Sequence, residues 1–300
     1  MNKILSLKDA VAKFVHDGDL IYASGFTHLI PFAAGHEIIR QGIKDLVLAR
    51  ATPDLIYDQM VAAGCARKVI FSYIGNPGVG SLRRVRAAIE SGRLAWEEYS
   101  HFSMISRLQA GASGLPFMPM KKTGATDLAE QNSNYQFVKD PYSGEDVVVV
   151  PALTPDVAIV HVQRADESGN AHVWGILGEQ CLAAFASQHV IITAEEIVDQ
   201  AVIRSDPNRT LIPGMIVDAV CHVPYCAHPS YTQGYHDRDN HFYLEWDEIS
   251  KTDEGVQAYL QEWVYDLPDR AAYWEKLGPE VHQRLLAGVN FSEPVNYGDY

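Results

Sequence analysis

Cysteine is scarce: four in 300 residues, Cys65, Cys181, Cys221 and Cys226, with no C-x-x-C pair and no zinc-ligand spacing. That pattern excludes a disulfide framework or a structural zinc, and each thiol reads as a small buried apolar residue. Positive charge is also short. Lys and Arg number 24 against 38 Asp and Glu, a formal net charge of −14. Nucleic acid and anionic membrane both require a basic face, so neither is expected as a partner. No apolar run approaches the ~20 residues that span a bilayer. The opening Met1-Asn2-Lys3-Ile4-Leu5-Ser6 enters a polar helix without the long apolar core of a signal peptide. Together these absences predict a cytoplasmic protein. Phosphate-binding motifs are missing too: there is no Gly-Lys-Ser/Thr, and Gly75-x-x-Gly78-x-Gly80 has the wrong order for a dinucleotide fingerprint.

What is present is an ordinary globular composition, 47% hydrophobic and 21% charged. Strand and helix signals alternate from the start. Ser6 caps a helix with Leu7, Ala10, Val11, Phe14 and Val15 on one face. Residues 20–24 predict a strand, 31–42 a helix, 46–49 a strand and 57–63 a helix. Further strands are expected at 68–73, 146–151, 156–162, 171–175, 189–193 and 215–223, with a helix at 103–112. This alternation predicts an α/β fold, an open, mostly parallel sheet with helices on both faces. We read residues 1–300 as one domain, with a polar surface excursion at 123–144 and a helical tail at 250–300.

Chemistry concentrates between Lys68 and His101. An apolar run, 68–73, is followed by Gly75, Asn76, Pro77, Gly78, Gly80 and Ser81. The glycines allow a sharp turn and close approach to a ligand. Ser81 is expected to cap the next helix, whose first-turn N–H groups would favour an anion. A second apolar run then delivers Glu97 and Glu98 where a strand should end, the place where open α/β sheets form their ligand crevice. The plainer reading is a turn and a solvated edge.

The chain resembles the class I CoA-transferase family, specifically its A (alpha) subunits of the glutaconate CoA-transferase type. The resemblance is carried by Leu7-Lys8-Asp9-Ala10, Asp17-Gly18-Asp19, Gly25-Phe26-Thr27 and Ile39-Arg40-Gln41-Gly42. It continues through Asn76-x-Gly78-Val79, Glu97-Glu98-Tyr99-Ser100, Gly114-Leu115-Pro116-Phe117, Asp156-Val157-Ala158-Ile159 with His161, and Glu195-Glu196-Ile197. Ile212-Pro213-Gly214-Met215, Ala227-His228-Pro229-Ser230 and Glu262-Trp263-Val264 complete it. The resemblance implies transfer of CoA from an acyl-CoA to a free carboxylate by a ping-pong route through a glutamyl-CoA thioester. It implies no permanently bound cofactor and no metal, coenzyme A being a substrate. It also implies a B (beta) subunit that supplies the nucleophilic glutamate, with αβ pairs assembling to a heterotetramer or heterooctamer; no comparable glutamate segment stands in this chain.

By the same resemblance, Gly25, Phe26 and Thr27 would present N–H groups to a carboxylate or an oxyanion, unless they form an ordinary tight turn. Ser72, Tyr73, Asn76, Gly78 and Gly80 would line the acyl pocket, with Ser72 and Asn76 donating hydrogen bonds. Arg83 and Arg84 would either contribute there or neutralise a solvated helix face. Glu97 and Glu98 would shape the pocket. In the alternative reading, an acyl-CoA hydrolase or C–C bond-cleaving enzyme, one of them would be the general base, its pKa raised by its neighbour. His101 stands within reach of both, as an ordinary hydrogen-bonding histidine or as a catalyst. His228 would face the partner or the CoA, or simply stiffen its loop.

Overall fold

Residues 157–165 form the strand on which the sheet is built. The run VAIVHVQRA carries apolar side chains on both faces, and all but one of its residues are buried. The computed structural model describes residues 2–76, 78–121 and 127–288. In chain order its strands are β1 (Leu20–Ala23), β2 (Leu46–Ala49), β3 (Ala66–Phe71), β4 (Ala95–Glu98), β5 (Phe117–Met120), β6 (Gln136–Lys139) and β7 (Asp146–Pro151). They continue with β8 (Val157–Ala165), β9 (Ala171–His172), β10 (His189–Ile197), β11 (Thr210–Ile212) and β12 (Ala219–His222). A parallel sheet runs in the order β12-β10-β8-β1-β2-β3-β4. At the far end of β8, β9 turns back antiparallel and β11 pairs with it. The expected open, mostly parallel sheet is therefore present, with an antiparallel edge.

Side-chain alternation divides the interior into two cores. Ile21, Val69 and Ile159 face one core, against Val11 of helix Leu7–Phe14, Ile38 of Phe32–Arg40, Ile56 of Leu55–Ala62 and Val85 of Arg83–Glu90. Tyr22, Ile70 and Val160 face the other, against Leu108 of helix His101–Ala112 and Ala183 of Gln180–Ala186. Each fully buried Ile or Leu of this kind contributes about 1.5–3 kcal/mol of transfer free energy.

Three expectations need correction. Within the 123–144 stretch, residues 123–126 lie outside the described residues. Beyond them, Leu128–Gln131 is a short helix, and β6 pairs antiparallel with β7, which also pairs with β5. The valines of β7 needed cover on their apolar face, while β6 is exposed along its length and so shows no alternation that a sequence could reveal. The C-terminal helices are not an appendage: Trp246, Val256, Leu260 and Val264 complete the first core. Residues 289–300 of the expected tail lie outside the described residues.

The third correction concerns Ser81. Leu82, not Ser81, is the cap residue of helix Arg83–Glu90, and no side chain caps it. The anion at that helix start belongs to the chain itself. Asp58 accepts from the Val85 N–H at 2.8 Å and from the Trp246 Nε1–H at 3.0 Å. Its burial pushes its pKa up to about 6 despite those donors. Arg83 and Arg84 clamp the C-terminal helices from the same helix. Arg83 reaches the Asp247 carboxylate at 2.8 Å, and Arg84 bonds Asp253 and the Ser250 carbonyl.

Candidate active site at the strand carboxyl ends

The chain leaves β1 into a strained loop. Gly25 has φ 121°, Thr27 φ 54° and Leu29 φ 57°. A Cβ at Gly25 would lie 2.7 Å from the carbonyl oxygens of both His28 and Leu29, so glycine is required there. A β-branched residue at positive φ is an outlier that costs about 1–3 kcal/mol, and such strain gathers at functional sites. Three grips hold the loop. Arg50 Nη2 donates to the Gly25 carbonyl at 2.5 Å, Ser230 Oγ to the Thr27 carbonyl at 2.8 Å, and the Leu29 N–H to the Tyr231 carbonyl at 3.0 Å. Among the described residues, the N–H groups of Gly25, Phe26 and Thr27 have no acceptor. Such donors, fixed in advance, suit an anionic oxygen.

Beside this loop stand the ends of β3 and β4. Ser72 Oγ donates to the Ala51 carbonyl at 2.5 Å and lies 2.7 Å from His101 Nδ1. With its only proton committed, Ser72 accepts from an Nδ1–H, which leaves His101 Nε2 as the ring's lone-pair nitrogen. The role of Ser72 as a donor to substrate is thus corrected. His101 meets the edge of Phe26, ring centroids 6.4 Å apart. It opens the helix His101–Ala112, whose start is fixed by Ser100 Oγ accepting the Ser103 N–H at 3.0 Å. We expect Ser100→Ala to lower stability by about 1 kcal/mol and Tm by about 2–4 °C in thermal unfolding.

Glu97 and Glu98 do not act as a pair, because successive strand residues point to opposite faces. Glu97 is ion-paired with Lys68, accepts from the Tyr99 hydroxyl at 2.9 Å and lies 3.7 Å from Arg107. Its partial burial is outweighed by these partners, which hold its carboxyl below the usual range. The expected upward shift is reversed for Glu97, and an ionised, paired carboxylate is a weak base. Glu98 instead lines a pocket of about 310 Å³ with Ser72, Tyr73 and Arg86. Asn76 is buried, and its Nδ2 has no partner among the described residues. Gly78 is exposed, while Gly80 packs on Asp247, where a Cβ would sit 2.7 Å from that side chain. The structure therefore brings together Phe26, Ser72, Tyr73, Glu98 and His101, and turns Gly80 toward the C-terminal helices.

Deeper under β8 and β10 lies a buried polar cluster that sequence reading did not assemble. His161 Nε2 is 3.0 Å from Glu195 Oε1, while Glu195 Oε2 accepts the Tyr225 N–H at 2.7 Å. His236 Nε2 is 3.6 Å from the same carboxylate. Burial opposes charge on His161, but the Cys226 thiol and Glu195 overcome it and hold its pKa up to about 10. Burial likewise opposes an ionised Glu195, yet His161 and His236 hold it well below the usual range. His28 accepts the Gln233 N–H at 3.0 Å, and burial brings its pKa down to about 3. His228 is fully buried between Tyr273 and Asp239, so it stiffens its loop. The other missed residue is Arg50, 1% exposed, whose only sequence signal is a cation directly after the apolar run of β2.

The coenzyme A transferase family model matches residues 4–222, the span from the first helix to the last strand. The chain belongs to the coenzyme A transferase family. Among members of this family it is 47% identical over 280 residues to the alpha chain of the 3-oxoadipate CoA-transferase of Pseudomonas knackmussii, covering 92% of this chain and 99% of that one. It is 40% identical over 311 residues to the alpha chain of the glutaconate CoA-transferase of Acidaminococcus fermentans, covering 97% of each. The crystal structure of that glutaconate CoA-transferase superposes with a TM-score of 0.90 over 95% of both chains, at 38% identity. A further solved structure, a cysteine-to-serine variant of the decarboxylase AibA/AibB, matches with a TM-score of 0.74 at 31% identity, over 87% of this chain and all of that one. As a transferase-family chain it shows, among the described residues, no helix long and apolar enough to cross a membrane.

Proposed function

We propose that this chain is the alpha subunit of a CoA-transferase that exchanges CoA between a short dicarboxylic acid and an acyl-CoA. The observation that carries this reading is the strained loop whose Gly25, Phe26 and Thr27 N–H groups face no acceptor in the chain, in a family of CoA-transferases. Glutaconate and 3-oxoadipate, the acids in the relatives' names, are both dicarboxylates, which supports that substrate class. Coenzyme A is then a substrate, and no resident cofactor takes part. Both relatives are the alpha chains of two-component enzymes, which implies a beta subunit here; αβ pairs would assemble to a heterotetramer or heterooctamer. The four free cysteines suit the reducing cytoplasm.

In this reading a glutamate carboxylate from the beta subunit's side of the site attacks the acyl-CoA carbonyl, and CoA leaves as thiolate. The thiolate then attacks the glutamyl carbonyl of the mixed anhydride, expelling the first acid as carboxylate and leaving a glutamyl-CoA thioester. The incoming acid reverses both steps. Each carbonyl passes through an oxyanion, and the exposed N–H groups of the Gly25 loop are suited to that charge or to the acid's second carboxylate. Ser72, Tyr73, Glu98 and His101 would border the acyl group; Asn76 and Gly78 would reach it only from the turn beyond. Glu97, ionised and paired, supports a nucleophile from outside this chain.

The test is to incubate the αβ complex with an acyl-CoA alone, treat with borohydride, and search for a modified glutamate by mass spectrometry. The expected outcome is an adduct on a glutamate of the beta subunit. Free CoA without any adduct or acceptor acid would sink the transferase. It would favour the second reading, a hydrolase or C–C bond-cleaving enzyme with Glu98 as base. That reading draws on Glu98 facing the pocket and on the decarboxylase among the solved relatives.

A further inference from the structure

We propose that Arg50 is a positioning residue for catalysis, one that aims the Phe26 N–H at the reacting oxygen; the inference rests on the loop's role given above. Arg50 stands at the carboxyl end of β2 and is buried. Its Nη2 donates to the Gly25 carbonyl at 2.5 Å, while Nε and Nη1 have no partner among the described residues. No described Asp or Glu forms an ion pair with it. Glu179, also buried nearby, takes its hydrogen bond from the Tyr22 hydroxyl at 3.1 Å. A buried guanidinium with one bonded donor and no counter-charge is an expensive arrangement.

Elementary geometry then fixes what Arg50 does to its neighbour. In a planar trans peptide the C=O of one residue and the N–H of the next point in opposite directions. By holding the Gly25 carbonyl inward, Arg50 turns the Phe26 N–H outward, toward the side where His101 meets the Phe26 ring. The uncompensated charge also sits behind that peptide, along its dipole, and raises the potential felt by an anion at the N–H. Arg50 thus acts on the substrate through the Gly25–Phe26 peptide without touching it.

The test uses the assembled αβ complex. Arg50→Met removes both donor and charge, whereas Arg50→Lys keeps the charge and one donor. We expect R50M to lower kcat about 100-fold, as loss of one oxyanion donor does, with KM values within about threefold and R50K within about tenfold of wild type. Phe26→Pro deletes the N–H itself, and R50M placed on F26P should lower kcat no further. Wild-type kcat in an assembled R50M enzyme overturns the proposal, as do additive losses in the double variant or an R50K enzyme no better than R50M. Should R50M fail to assemble, F26P decides alone: wild-type kcat there overturns it. If the wild-type complex releases CoA without transferring it, the transferase reading fails, and the same variants are judged on the rate of that release.

Discussion

Gly25→Ala is expected to lower kcat/KM for CoA transfer by at least about 100-fold, the loss that a roughly 1 Å displacement of a positioning element brings. Space and conformation act together. The added methyl would lie 2.7 Å from two backbone oxygens, those of His28 and Leu29, and backbone cannot rotate aside as a side chain can. The φ of 121° also lies where residues with a Cβ are strained. Relaxing that strain means releasing the Arg50 grip on the Gly25 carbonyl or the Ser230 grip on Thr27, and either would re-aim the open N–H groups. Steady-state kinetics of the assembled complex would check this, with circular dichroism as control for folding. A Gly25→Ala enzyme with wild-type kinetics would show that the loop takes no part in the reaction.

Glu195→Gln should be the most destabilising of the single changes considered, by about 3 kcal/mol near neutral pH, because it leaves buried donors facing a neutral amide. His161, His236 and the Tyr225 N–H all converge on that carboxylate. The corresponding fall in Tm is about 6–12 °C. The pH dependence has a definite sign. Glu195 titrates lower in the fold than unfolded, so its contribution is present above the ordinary carboxylate pKa and is lost only in strong acid. His161 titrates higher, so its contribution is full below the ordinary imidazole pKa and disappears as pH rises through about 10. The gap between wild type and variant should therefore be widest from about pH 5 to 6.5 and much reduced near pH 10. Thermal scans across that range would measure it. A gap that grows toward pH 10 would refute the ion pair.

Much of the frame could be read without coordinates. The apolar runs placed β1, β2, β3 and β8 to within a few residues, since a strand buried on both faces must be apolar throughout. Gly25 could be singled out because a strand followed directly by glycine marks a turn. Period-two alternation also held the answer for Glu97 and Glu98, although reading them as neighbours at a strand end obscured it. β6 gave no such signal, being exposed along its length.

Residues close together in the chain were enough to establish the succession of strands and helices, the α/β class, the charge that disfavours polyanions, and the glycine that lets the first loop bend. Which charges meet was settled only by folding. Asp58 accepts at the start of a helix that begins 25 residues later, His161 finds Glu195 on the adjacent strand and His236 on a loop beyond, and Arg50 reaches back to Gly25. Charge and hydrogen bonding act over a few ångströms of space, not of sequence, so their partners and their pKa values exist only once the parallel strands lie side by side.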